Sequence, residues 1–166
     1  MMDQVYNIDS TVFNHWTITK KLGSGSFGHV YEIQRKDFGE TYWAALKVIT
    51  VPRDETELQN ALDDGMSSSQ AERYFYSGVE DVVREFALMA KLKGTANIVG
   101  YEDHQVIRHP DGIGWDILIR MKLLTPVIPY TSEHPFSRRD IIQLGIDFIY
   151  KQGSLRRNIG GFFLVS

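Results

Sequence analysis

Gly23-Ser24-Gly25-Ser26-Phe27-Gly28 is a G-x-G-x-x-G run, and the chemistry open to it depends on the element it leads into. Opening a helix, with an acidic residue ~20 positions on, such a run cradles the pyrophosphate of a dinucleotide. Here the continuation His29-Val30-Tyr31-Glu32-Ile33 is β-prone, so the glycines join two strands. A hairpin tip poor in side chains can fold its backbone N–H groups over a polyphosphate, where any Cβ would obstruct close approach. An ordinary glycine-rich hairpin reads the same way. With 14 Gly in 166 residues, chance alone produces the pattern in about one such chain in ten.

A second group sharpens the reading. Ala45-Leu46-Lys47-Val48-Ile49 sets a lysine among apolar neighbours on a strand, where an ammonium group needs an anionic partner. Glu85, on the shoulder of a helical apolar stripe, can supply the carboxylate. Such a pair would hold the lysine head toward phosphate oxygens, at the cost of desolvating two charges. Taken singly, Lys47 reads as a strand lysine whose stem is buried and whose head reaches water, and Glu85 as a solvated helix residue. A metal site on His104 and His109 ranks lowest, because a strand and its turn offer no convergent third ligand; both histidines are expected to be exposed.

The elements that must position these groups are legible from periodicity. Residues 16–22, 29–34 and 42–49 alternate as strands, the first two split by the Gly/Ser turn and the next by residues 36–40, which predicts an antiparallel meander. Asp54 and Glu57 form a capping box for a short helix that Gly65 closes. Ser69 and Glu72 form another, opening a longer helix whose apolar residues Phe75, Val79, Val82, Val83, Phe86, Met89 and Ala90 make one stripe ending near Gly94. Two more strands, 99–107 and 115–121, flank the turn His109-Pro110-Asp111-Gly112. Pro126 and Pro129 mark a linker. Ser137 then caps a helix bearing Ile141, Ile142, Leu144, Ile146, Phe148 and Ile149. Residues 154–166 hold too few apolar groups for a second core.

Composition narrows the class. A chain that is 43% hydrophobic and 23% charged is a globular unit. With no Cys, disulfides and thiolate metal sites are excluded. A net charge of −3 with scattered Lys and Arg gives no surface for nucleic acid or an anionic membrane. The start MMDQVYNIDS lacks a basic and then apolar leader, and no run approaches the ~20 apolar residues of a membrane span. A cytoplasmic location is expected.

In this order the motifs resemble those of the eukaryotic-type serine/threonine protein kinases, bacterial members in particular. Leu22 to Val30 resembles the glycine-rich loop with its flanking apolar residues, and Ala45-Leu46-Lys47 the V-A-I-K element. Arg84 to Met89 resembles the helix carrying the lysine-pairing glutamate. Asn97-Ile98-Val99 resembles H-P-N-I-V, with Thr95-Ala96 in place of His-Pro, and residues 117–124 resemble the fifth strand and hinge. The likeness covers about residues 14–150. It implies an α+β fold: a kinase N-lobe with a five-stranded antiparallel sheet, a long helix and an inserted helix over residues 1–125. Residues 126–166 would be the hinge and first helix of a truncated C-lobe.

The resemblance also assigns roles. Lys47 and Glu85 become the catalytic pair, and Gly23, Ser24, Gly25, Ser26, Phe27 and Gly28 cover the ATP phosphates. Leu22, Val30 and Ala45 sandwich the adenine, Met121 is the gatekeeper, and the Lys122 carbonyl and Leu124 N–H bond the adenine edge. The separation of Lys47 from Glu85 is longer than the family usually shows, the excess falling within residues 54–78. ATP is the implied cofactor and a protein Ser/Thr side chain the implied acceptor. Magnesium is expected of the complete family, yet H-R-D-x-x-x-x-N and D-F-G, which carry the base and metal ligands, do not occur here. The expectation is an inactive, shortened kinase that keeps half an ATP site, with self-association through apolar C-terminal surface. The alternative is a non-catalytic nucleotide-binding or scaffolding pseudokinase module.

Overall fold

Strand succeeds strand through the first half of the chain because β-branched and aromatic residues alternate with polar ones between tight turns. A computed structural model describes residues 6–25, 28–91, 100–124 and 137. The chain divides into two units, Met1–Leu123 and Leu124–Ser166. In the first unit the strands are β1 (Thr11–Val12), β2 (Trp16–Gly25), β3 (Gly28–Asp37), β4 (Glu40–Val51), β5 (Tyr101–Arg108) and β6 (Trp115–Met121). They form one antiparallel sheet of order β1-β2-β3-β4-β6-β5.

Between β4 and β5 lie two helices, α1 (Glu55–Asp63) and α2 (Ser68–Lys91). The Asp54 carboxylate accepts the Glu57 N–H at 2.9 Å, capping α1; Gly65, at φ +95°, ends the turn after it. The cap of α2 forms two residues earlier than expected. Ser67 Oγ accepts the Gln70 N–H while Gln70 Oε1 accepts the Ser67 N–H. A reciprocal box on Ser67 satisfies two backbone donors at once, and Ser69 falls inside the helix.

Alternation along the strands gives the sheet two buried faces. On the helix face Trp115, Ile117 and Ile119 pack with Ala71, Phe75, Val79 and Phe86 of α2. On the far face Trp16, Ile18, Ile33, Leu46, Val48 and Leu118 form a core to which, among the described residues, no helix contributes. A one-residue slip of any of these strands would exchange the two cores.

This corrects the architecture that the resemblance implies. The described residues form a six-stranded, curled half-barrel of antiparallel sheet with two helices, not a kinase N-lobe of five strands and a long helix leading into a helical lobe. Two physical causes operate. Register shifts at Thr19 and Leu22 put extra residues into β2 and add twist. Left-handed residues Phe13 and Asn14 fold Thr11–Val12 back onto Trp16 and Thr17, adding an edge strand too short to give a periodic signal. The expected helix beyond Ser137, the segment 97–99 and the apolar C-terminal stretch lie outside the described residues. Among the described residues no helix is long and apolar enough to cross a membrane.

Candidate functional site

Cross-strand register brings the predicted residues together. Gly23 faces Val30, Val30 faces Lys47, Lys47 faces Ile119, and Ile119 faces His104. The next row runs Glu32, Ala45, Met121 and Tyr101. Directly paired residues of an antiparallel ladder project from the same face. Val30, Lys47, Ala45 and Met121 therefore share the helix face. Leu22 is the extra residue at a register shift of β2 and is half-buried.

The hairpin differs from a loop. Gly23, Ser24 and Gly25 belong to β2, and Gly25 pairs with Gly28; Ser26 and Phe27, between them, lie outside the described residues. A Cβ added at Gly23 or Gly25 would meet nothing within 4 Å, so open space borders both. Gly28 is a different case. It sits at φ +105°, and a Cβ there would run into the Val48 carbonyl. Two of the glycines keep a surface bare, whereas the last is demanded by the fold.

Lys47 is only 6% exposed. Burial lowers its ammonium to a pKa of about 8, against an ordinary 10.5, and the Glu85 carboxylate on α2 pulls the other way. The helix reaches this place because Phe86, the neighbour of Glu85, is anchored in the helix-face core and stacks on Tyr101 with ring centroids 6.1 Å apart. A buried ammonium favours negative charge beside it.

Two predicted residues follow β6. The Lys122 N–H is bonded to the Gly100 carbonyl at 2.9 Å, and its side chain is exposed. Leu124, also exposed, begins the second unit. Among the described residues no group of three His, Cys, Asp or Glu is arranged to hold a metal ion.

One cluster escaped the sequence reading. Asp116, 1% exposed on the far face, accepts from Tyr6 at 2.9 Å and from Thr50 at 2.8 Å. His109 Nε2 lies 3.1 Å from the same carboxylate. His109 is thus buried rather than exposed, because its main-chain N–H closes the turn onto the Gly114 carbonyl and the ring is folded inward over glycine. A signal existed in the sequence: an acid in the middle of Trp115-Asp116-Ile117-Leu118 needs buried donors. No protein-family model matches this chain, and no curated protein matches it.

Proposed function

We propose that this chain binds ATP, as the ATP-binding portion of a serine/threonine protein kinase, the family its motifs resemble. The observation that carries the reading is the buried Lys47 ammonium, under the electrostatic influence of Glu85 and opposite Val30, whose other ladder partner is Gly23. In this reading Lys47 meets the phosphates and Glu85 holds its head in place. Bare backbone at Gly23 and Gly25 approaches the triphosphate. Val30, Ala45, Leu22 and Met121 offer apolar contact to the base, with the Lys122 carbonyl at its edge.

Phosphoryl transfer requires a group to orient the acceptor and ligands for magnesium, and neither family motif for these is in the sequence. The six-stranded antiparallel sheet, which departs from the kinase N-lobe, favours a second reading, a non-catalytic nucleotide-binding or scaffolding module. The deciding test is ATP titration followed by thermal unfolding. ATP should raise the melting temperature of the wild-type chain, and Lys47→Met should abolish the rise. An equal rise in both proteins would show that Lys47 does not touch phosphate. Magnesium-dependent labelling of a generic Ser/Thr substrate by the purified chain would rule out the non-catalytic reading.

A further inference from the structure

We infer that residues 6–12 form a releasable strap, locked across the far face of the sheet by the hydrogen bond from Tyr6 to Asp116. The two residues stand 110 positions apart in the chain, and the bond joins the start of the described structure to β6. Asp116 is a junction rather than a simple acceptor. Its Oδ2 takes the Tyr6 hydroxyl, its Oδ1 takes Thr50 from β4, and His109 Nε2 stands 3.1 Å from Oδ1. Tyr31, on β3, also feels the Asp116 charge. Burial first, and the carboxylate second, push the Tyr6 phenol far above its ordinary range, so it stays a neutral donor.

Beyond Tyr6, the strap is held by the buried Val12 side chain and a few backbone bonds. Only Thr11 and Val12 join the ladder, opposite Thr17 and Trp16. The Asp9 N–H bonds the Ile18 carbonyl at 2.9 Å, and the Ile18 N–H bonds the Ser10 carbonyl at 3.0 Å. Asp9, Phe13 and Asn14 all adopt positive φ, a conformation L-residues disfavour and Phe13 most of all. By contrast β3 and β4 are joined over nine consecutive ladder positions. Local opening begins where backbone bonds are few and conformations are disfavoured. Once Tyr6 leaves, the buried Oδ2 loses its donor and the strap loses its anchor together, so the segment opens as a unit. Opening withdraws Val12 and Tyr6 from the far-face core and bares the part they cover. Release of the strap therefore uncovers that face while the sheet stays intact.

Native-state hydrogen exchange on the full chain tests it. In the wild type, the Asp9 and Ile18 amides should exchange through an opening that is nearly independent of denaturant, while amides of the β3–β4 ladder exchange only with global unfolding. Tyr6→Phe should speed Asp9 and Ile18 at least tenfold and leave the ladder unchanged. Wild-type Asp9 and Ile18 amides that share the denaturant dependence of the ladder would overturn the inference, even if the variant fails to fold. So would a Tyr6→Phe chain in which their protection is unaltered, or in which the entire sheet loosens equally.

Discussion

Val30 and Lys47 lie directly opposite one another across the β3–β4 ladder. The pairing sets the cation on the face to which the glycine hairpin is joined, because Gly23 is in turn the partner of Val30. Two inter-strand steps separate Gly23 from Lys47, about 10 Å of backbone at ~4.8 Å each. Lys47 projects from the same face of the ladder as Val30, and the proposed triphosphate would bridge the interval.

The glycines therefore separate folding from binding. Gly28→Ala places a Cβ on the Val48 carbonyl at φ +105°, and should destabilise the chain by roughly 2–4 kcal/mol or prevent folding. Gly23→Ala and Gly25→Ala meet open space, so their urea midpoints should stay near wild type while the ATP-induced rise in melting temperature shrinks. Parallel denaturation and ATP titration of the three variants check this. A Gly25→Ala protein with undiminished ATP response would remove the hairpin from the site.

The lowered Lys47 pKa gives binding a pH signature. With the Lys47 ammonium titrating near pH 8 before any ligand binds, the protein presents a cation below that value and loses it above. A bound phosphate favours the charged form, so binding takes up a proton as pH rises through 8. Calorimetric titration with ATP at pH 7, 8 and 9 should show affinity falling severalfold to about tenfold across the series. It should also show net proton uptake at pH 8–9 that Lys47→Met abolishes. Affinity independent of pH in this range would contradict phosphate contact by this side chain.

Where the sequence was legible, one rule acted alone. The period of Phe75, Val79, Val83 and Phe86 located α2 and its buried stripe, and the Asp54–Glu57 spacing located the start of α1. Legibility failed where tertiary contacts chose among local options. Ser67, rather than Ser69, caps α2 because Gln70 can reciprocate. Thr11–Val12 became a strand through two left-handed turns that no propensity reports. Lys47 and Glu85 could be named as a pair from residue type, but the rows that add Val30, Ala45 and Met121 depend on register, which the sequence does not display. His109 looked like an exposed turn histidine; only folding reveals that Asp116 waits behind it.

That buried junction should be costly to empty. Asp116→Ala would leave Tyr6 and Thr50 without their acceptor and His109 beside a cavity on the far face. A loss of about 3–5 kcal/mol is expected in urea unfolding. Asp116→Asn keeps the shape and one acceptor oxygen, so it should cost less. A loss below about 1 kcal/mol for Asp116→Ala would show that the cluster does not hold the far face together.

Stability itself should report the burial of Lys47. Below pH 8 the lysine is protonated in both folded and unfolded chains, and its desolvation cost is constant. Between about 8 and 10.5 the unfolded chain still binds the proton while the folded chain has released it. Folded-state stability therefore gains with rising pH from this group. Relative to Lys47→Met, which lacks the titration, the wild type should gain on the order of 2–3 kcal/mol across that window. Taking the difference between the two proteins cancels the opposing effect of Tyr6, Tyr31 and Tyr101, whose raised phenol values cost stability as the unfolded tyrosines ionise. Urea unfolding of both chains at pH 7.5, 8.5 and 9.5 measures it. A constant difference would mean the folded ammonium titrates as it does in water, and would remove the desolvated cation on which the proposed phosphate binding rests.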